Sequence, residues 1–203
     1  MCGIIGAASS RNVGKLLVQG LHKMEYRGYD SAGIALHQKD NIFNLRTLGK
    51  VSLLENEMIE QRPKSKLGIA HTRWATHGKP SKKNAHPHES GEVNIVHNGI
   101  IENYLELKDK LIEAGYAFES ETDSEVIAHL LHQHLQSKGD LLAAMHEAIK
   151  ELDGAFAIAA IHIKDKNRLV VARNKSPLLI GVGLEENFAA SDPLALSQLT
   201  NEF

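Results

Sequence analysis

The sequence has only one cysteine, Cys2, in 203 residues. A single cysteine excludes an internal disulfide framework and a zinc site built from cysteines. No apolar run approaches the roughly 20 residues that a membrane-spanning helix needs, and no basic segment followed by an apolar one indicates a signal peptide. The net charge of −2 at pH 7 argues against a nucleic-acid or anionic-membrane surface. These absences predict a soluble, cytoplasmic protein with no membrane or nucleic-acid partner.

The residues that are present suit one domain, or at most two small ones, because 42% of them are hydrophobic and can form a full core. Strands are predicted over residues 2–8, 32–37, 41–48, 67–72, 93–97, 155–163, 168–172, 178–182 and 187–190, and helices over 13–24, 51–59, 101–114 and 140–150 and from 122 and 192 onward. Residues 73–92 form a long irregular stretch, which in a compact domain is usually functional or disordered. Antiparallel hairpins outnumber βαβ units, so we predict an α+β domain with sheets in the middle and helices outside.

The position of Cys2 supports the first chemical hypothesis. If Met1 is removed, Cys2 carries a thiol and a free α-amine on one residue. A thiol attacks as the thiolate and has an ordinary pKa of about 8.5, whereas an α-amine has a pKa of about 7.7–8.0. The amine is able to serve as the local base, as it does for N-terminal threonine nucleophiles. The alternative is an ordinary first strand whose cysteine is a small buried hydrophobe.

Three further segments carry polar groups suited to acting on a carboxamide. Arg73 follows a predicted strand, and its planar guanidinium fits a carboxylate with two parallel hydrogen bonds. Asp123 opens a predicted helix, where it is either the N-cap or a counter-charge for a substrate ammonium. Asn98 and Gly99 end a predicted strand and offer an amide side chain and an unhindered N–H for an oxyanion. The alternative for this Asn-Gly pair is a hairpin turn.

Twelve histidines are the unusual feature of the composition. His86 and His88 are close enough in sequence to reach one metal ion, and His129 and His132 have the spacing of one helical face. A metal site also needs three or four convergent ligands with outer support, and most histidines are surface or hydrogen-bonded core residues. We therefore predict no metal site, with a histidine-based metal-binding domain as the alternative.

Taken together, these segments match one known pattern. They resemble the glutaminase domains of class II amidotransferases of the glucosamine-6-phosphate synthase type, and the resemblance covers essentially the whole chain in order. The matching segments are residues 2–6, 27–33, 71–78, 97–103, 122–125, 152–157 and 176–181, and the match ends at 190–192. The amidophosphoribosyltransferases of the same class usually have Gln where Tyr29 stands, and they differ in the segment that follows Arg73.

The resemblance implies a single domain over residues 2–203 with an N-terminal-nucleophile hydrolase fold, a four-layer αββα sandwich. It also implies L-glutamine as the substrate and no cofactor or metal. Cys2 would be the nucleophile with its own α-amine as base, and Asn98 and Gly99 would form the oxyanion hole. Arg73 would bind the α-carboxylate of glutamine, and Asp123 would bind its α-ammonium group.

The resemblance further implies a loop that covers the bound glutamine. Thr76 and His77 would lie in this loop, Trp74 would belong to a mobile lid over residues 73–78, and Arg27 would lie close to the nucleophile. Core packing is the alternative for Trp74. In the whole protein, covalently linked sugar isomerase domains would use the ammonia to make glucosamine 6-phosphate from fructose 6-phosphate, and that protein would be a homodimer.

Two other functions remain open beside this one and the metal-binding alternative. The chain could be the glutaminase domain of another class II amidotransferase, against which Tyr29 and residues 71–78 argue. It could also be a regulatory domain that binds glutamine without turning it over, because a retained Met1 would convert the amine of Cys2 into an amide and remove the base.

Overall fold

The structure is a computed structural model that describes residues 2–75 and 78–203. The strands are β1 (Gly3–Ser9), β2 (Ser31–His37), β3 (Ile42–Leu48), β4 (Leu67–Arg73), β5 (His88–Ser90), β6 (Val93–Ile101), β7 (Gly154–His162), β8 (Asp165–Asn174), β9 (Leu179–Gly183) and β10 (Glu186–Ala190). The α-helices are α1 (Gly14–Met24), α2 (Val51–Gln61), α3 (Tyr104–Glu113), α4 (Ser124–Lys138) and α5 (Leu141–Glu151), and short 3₁₀ helices cover Glu25–Arg27 and Pro193–Leu196.

The strands form two sheets, and β1, which follows Cys2, is a central strand of the larger one. One sheet has six strands in the order β3-β2-β4-β1-β10-β9, and the other has four in the order β5-β6-β7-β8. The neighbouring strands in both sheets run antiparallel. Strand β1 lies between β4 and β10, so Cys2, which precedes it, is placed at the end of a central strand.

Each sheet is buried on both faces, which produces four layers. Ile4 packs between the two sheets and Ile5 packs under α1 and α2, because successive side chains of a strand point to opposite faces. The same alternation in β6 directs Val96 to the space between the sheets and Ile95 to the layer of α3, α4 and α5. A sheet covered on both faces has a nearly continuous apolar sequence, as in β1. The predicted α+β sandwich with outer helices is confirmed.

The structure corrects the sequence prediction around Asn98 and Gly99. The strand predicted to end at His97 continues to Ile101, because β7 pairs with it along its whole length, from Val93↔His162 to Ile101↔Gly154. Asn98 and Gly99 therefore lie inside β6, and the hairpin-turn alternative is wrong. Helix α3 begins at Tyr104 instead of residue 101.

Two other boundaries differ from the predictions. The stretch over residues 73–92 contains a three-residue strand, β5, which pairs with β6. The helix expected from Asp192 is a four-residue 3₁₀ helix, in which the Asp192 side chain accepts a hydrogen bond from the Leu194 N–H. None of the helices in the described part of the chain has both the length and the apolar character needed to cross a bilayer.

Candidate active site

The folded chain brings most of the predicted site residues into one cavity of about 480 Å³. Seven of the nine predicted residues line it: Cys2, Arg27, Arg73, Trp74, Asn98, Gly99 and Asp123. The other two, Thr76 and His77, lie outside the described residues. The cavity opens where β1, β4 and β6 meet the start of α4, so each group comes from a different part of the sequence.

Cys2 stands at the entrance to β1 with its thiol held by the backbone of Trp74. The Trp74 N–H donates to Cys2 Sγ at 3.2 Å, and the Trp74 carbonyl lies 3.4 Å from the same sulfur. Burial raises the pKa of the Cys2 thiol, while the Trp74 N–H and the charge of Arg73 act in the opposite direction. Because the pKa is raised on balance, a nucleophilic role for this thiol requires a base beside it.

Asn98 and Gly99, on the other sheet, line the same cavity as Cys2. Asn98 Nδ2 donates to the carbonyl oxygen of Cys2 at 3.1 Å, and its amide lines the cavity. Gly99 has a φ of +129°, and a Cβ placed there would lie 1.9 Å from the carbonyl oxygen of Ala155. Only glycine fits at this point, because the backbone of β7 lies too close for a side chain.

We expect Gly99→Ala to lower the free energy of unfolding by about 4 kcal/mol, because an unfavourable φ and a backbone clash act together. Urea or thermal unfolding followed by circular dichroism measures the change. Gly139→Ala is the matched control: Gly139 also has a positive φ, +70°, but a Cβ there meets nothing within 4 Å, so we expect a loss of only about 1 kcal/mol. Equal losses in the two variants would contradict the crowding argument.

Arg73 is the last residue of β4, is 4% exposed and lines the cavity. Its Nη2 donates to the Gly78 carbonyl at 3.0 Å, and its Nη1 lies 3.6 Å from Asp30 Oδ1. Asp30 also accepts the Ala75 N–H on Oδ2 at 2.5 Å. Asp30 was not among the predicted site residues, although it lies in the matching segment 27–33. The structure shows that this carboxylate supports both Arg73 and the backbone that follows it.

Asp123 lines the same cavity from the start of α4. It occupies the N-cap position of α4, but its side chain makes no capping hydrogen bond. Instead, Asp123 Oδ2 accepts the N–H of Ile101 at 2.8 Å, across to the end of β6. Asp123 is therefore the N-cap by position, as one of the two predictions had it, but its side chain does not cap the helix. The carboxylate is 3% exposed and belongs to the same cavity as the Arg73 guanidinium.

Trp74 lies at the mouth of the cavity and is 53% exposed, so the core-packing alternative for it is wrong. Its indole ring rests on the backbone of Gly28, where a Cβ would lie 2.3 Å from Trp74 Cε3. Arg27, on the same rim, is anchored by Asp192, whose Oδ2 lies 2.6 Å from Arg27 Nη2. The Tyr26 hydroxyl donates to the same Oδ2 at 2.5 Å.

His71, His86 and His88 form a buried group beside the cavity, and His86 is one of the residues that line it. The His86 ring lies 4.1 Å from that of His71 and 4.6 Å from that of His88, measured between centroids. Burial lowers the pKa of His71 and of His88 to about 3, and it lowers that of His86 well below the usual value. These rings are therefore neutral at pH 7.

The two histidines of α4 that were candidate metal ligands, His129 and His132, bind different groups. His129 Nδ1 lies 2.8 Å from the hydroxyl of Ser90, and His132 Nδ1 lies 3.0 Å from the hydroxyl of Tyr116. Within residues 2–75 and 78–203, no three His, Cys, Asp or Glu side chains converge in a way that could hold a metal ion.

The chain is similar in sequence and structure to known proteins of one family. The family model described as a glutamine amidotransferase domain matches residues 71–198. The chain belongs to this family. It is a glutamine amidotransferase domain, as the motifs around Cys2, Arg73 and Asn98 predicted.

Similar proteins in other organisms are longer than this amidotransferase domain. It is 52% identical over 203 residues to a glutamine–fructose-6-phosphate aminotransferase (isomerizing) of Acinetobacter baylyi. It is 54% identical over 205 residues to the protein of the same name from Pseudomonas putida. Each match covers all of this chain but only 33% and 34% of those relatives. The chain thus spans about a third of the length of the curated relatives that it matches.

Solved structures agree on the fold. The glutamine phosphoribosylpyrophosphate amidotransferase of B. subtilis superposes with a TM-score of 0.84 at 25% identity, over 97% of this chain and 43% of that one. A glutamine aminotransferase class-II domain protein from Silicibacter pomeroyi gives a TM-score of 0.62 at 13% identity, over 94% of this chain and 88% of that one, and shows the fold alone. The N-terminal-nucleophile fold expected for the amidotransferase domain is confirmed.

Proposed function

We propose that this amidotransferase domain hydrolyses the side-chain amide of L-glutamine to glutamate and ammonia, with Cys2 as the nucleophile. The observation that carries the proposal is the convergence of a thiol, an amide donor and two opposite charges in one cavity. Cys2, Asn98, Arg73 and Asp123 all line it. The fold places them there from four separate segments of the chain.

The charges of the cavity suit the amino-acid end of glutamine. The planar guanidinium of Arg73 matches an α-carboxylate, and the carboxylate of Asp123 matches an α-ammonium group. Both side chains are buried, at 4% and 3% exposure, so their charges are weakly screened by solvent. A free amino acid offers both charges and an internal residue of a peptide offers neither, so the site favours free glutamine over a peptide amide.

The reaction follows from the position of the thiol. The Cys2 sulfur attacks the amide carbon of the glutamine side chain, and the oxyanion that forms accepts hydrogen bonds from Asn98 Nδ2 and the Gly99 N–H. The α-amine of Cys2 takes the thiol proton and gives it to the departing nitrogen, so that ammonia leaves as the C–N bond breaks. Water then cleaves the γ-glutamyl thioester, which releases glutamate and restores the thiol.

The base in this mechanism exists only when Met1 has been removed, and Met1 lies outside the described residues. The raised pKa of the Cys2 thiol makes the base necessary, since the thiol is protonated at neutral pH without one. A chain that retains Met1 would bind glutamine without hydrolysing it, which is the regulatory alternative. Thr76, His77 and Trp74 would cover the bound substrate, and Arg27 would border the nucleophile.

We expect Asp123→Asn to raise KM for glutamine by about 10- to 100-fold and to change kcat by less than about 3-fold, because the lost charge contacts only the α-ammonium group. The asparagine oxygen is still able to accept the Ile101 N–H, so the local fold is kept. Steady-state glutamate release measures both constants. Asp109→Asn, on an exposed position of α3, is the control. A kcat loss without a KM change would contradict the assignment.

The whole protein, we propose, passes the ammonia to fructose 6-phosphate to make glucosamine 6-phosphate, in linked sugar isomerase domains and as a cytoplasmic homodimer. Support comes from the relatives, which carry the name glutamine–fructose-6-phosphate aminotransferase at 52–54% identity. The phosphoribosylpyrophosphate amidotransferase is only 25% identical. The higher identity favours the sugar acceptor over the glutaminase of another class II enzyme.

The experiment that tests the glutaminase is an intact mass of the purified protein before and after a glutamine-mimicking diazoketone. Because Cys2 is the one cysteine of the chain, a single cysteine adduct can be assigned to it directly. A mass lacking methionine, with one adduct that excess glutamine blocks, is the expected result. Loss of methionine without an adduct would remove Cys2 as the nucleophile, and a retained methionine without an adduct would identify the inactive form.

A further inference from the structure

A buried histidine lies directly behind the predicted oxyanion hole, and the mechanism above does not use it. His71 is in the middle of β4, 1% exposed, and is not among the described residues that line the cavity. Its Nε2 lies 2.9 Å from Oδ1 of Asn98, the same side chain whose Nδ2 donates to the Cys2 carbonyl. The Asn98 amide is thus held at both of its ends.

The partner at each end allows only one orientation of this amide. A backbone carbonyl is solely an acceptor, so the Cys2 oxygen requires the NH₂ end of Asn98. A rotated amide would place Oδ1 against that oxygen and lose the hydrogen bond. With the NH₂ end toward Cys2, Oδ1 faces His71 and requires a donor there. This orientation of Asn98 requires the neutral tautomer of His71 whose proton is on Nε2.

The surroundings of His71 keep its ring uncharged, with one N–H, and hold it in place. Burial lowers the pKa of His71 to about 3, so that the ring carries one N–H at pH 7. Antiparallel pairing holds its backbone between Ile4 of β1 and Gly33 of β2. The ring of His86 packs on it at 4.1 Å between centroids. The donor thus has little freedom to move away from Asn98.

We infer that His71 is a positioning residue that orients the Asn98 amide, so that its NH₂ group faces the oxyanion formed on glutamine. This inference rests on the proposed glutaminase function. Asn98 has two hydrogens on Nδ2: one is engaged by the Cys2 carbonyl, and the other is available toward the cavity that the amide lines. The bond from His71 also polarises the amide, which strengthens donation from the far end. His71 acts through Asn98 and contacts no substrate.

The test compares His71→Leu with His71→Gln in the 203-residue chain. Leucine fills a similar space without a donor, and we expect kcat for glutamine hydrolysis to fall roughly 10- to 100-fold while KM changes less than about 3-fold. Glutamine keeps an N–H near the position of Nε2, and we expect its kcat to stay within about 3-fold of the unsubstituted chain. Alkylation of Cys2 by iodoacetamide forms no oxyanion, so its rate should be the same in all three proteins.

A double-mutant cycle with Asn98→Ala separates positioning from general damage. If His71 acts through Asn98, His71→Leu changes kcat by less than about 2-fold in the Asn98→Ala background. Full additivity, an unchanged kcat in His71→Leu, or an alkylation rate that falls together with turnover would each overturn the inference. An unsubstituted, Met1-processed chain with no glutaminase activity would instead overturn the proposed function, and this inference with it.

The tautomer of His71 can also be measured in the unsubstituted chain, so this test does not depend on whether a variant folds. Long-range ¹H–¹⁵N correlation spectra at pH 7 distinguish the two neutral tautomers of His71 and the charged ring. A proton on Nε2 alone is the expected result. A proton on Nδ1 alone, or on both nitrogens, would overturn the inference.

Discussion

Cys2→Ala abolishes glutamate release, with an expected loss in kcat of at least about 10⁴-fold, because the thioester route has no other nucleophile. The chain contains no second cysteine that could substitute for it. Glutamine should still bind, since Arg73 and Asp123 remain in the cavity. Isothermal titration calorimetry measures the binding, and a coupled glutamate assay measures the turnover.

Cys2→Ser is the matched control for this variant, because it keeps a nucleophile of similar size with a much less acidic proton. We expect the glutaminase activity of Cys2→Ser to lie between that of Cys2→Ala and that of the unsubstituted chain. The Trp74 N–H that now contacts Sγ at 3.2 Å can donate equally to a hydroxyl. A Cys2→Ala protein that still released glutamate at the original rate would remove Cys2 from the mechanism.

Asn98→Ala lowers kcat by about 10²- to 10³-fold, the effect of removing one donor from an oxyanion hole. The substrate's charged end is not touched, so KM should stay within about 3-fold. Asn98 Nδ2 is held 3.1 Å from the Cys2 carbonyl, so this donor is beside Cys2 before substrate arrives. Single-turnover glutamate release separates the acylation step from product release.

Asn94→Ala is a suitable control because Asn94 is another buried asparagine of the same strand, 3% exposed, and does not belong to the described lining of the cavity. Its kcat should remain within about 2-fold of the unsubstituted chain. Similar kcat losses in both variants would show that disturbing β6, and not removing a donor, causes the effect.

The sequence predicted the elements well where the pattern is local. Helix α1 was expected from residue 13 to 24 and covers Gly14–Met24, because its apolar residues recur at helical spacing. Long-range pairing overrode local signals elsewhere. The Asn98–Gly99 pair has the composition of a turn, but β7 pairs across it and keeps it extended.

The roles of single side chains were harder to predict for the same reason. Asp123 has the position and chemistry of an N-cap, and only the proximity of the Ile101 N–H, 22 residues away in sequence, shows what its carboxylate binds. Asp30 had no local signal at all, since its contacts to Arg73 and Ala75 arise across the β2–β4 pairing. His86 and His88 looked like loop residues and are buried.

By itself, the sequence determined that one cysteine at position 2 is the nucleophile candidate, that sheets and helices form a layered α+β domain, and which family the motifs resemble. These depend on residue identity, order and local periodicity. The tertiary structure decided that Cys2, Arg73, Asn98 and Asp123 share one cavity, and that His71 stands behind Asn98. Convergence depends on the pairing of strands distant in sequence, and no local pattern of residues contains that information.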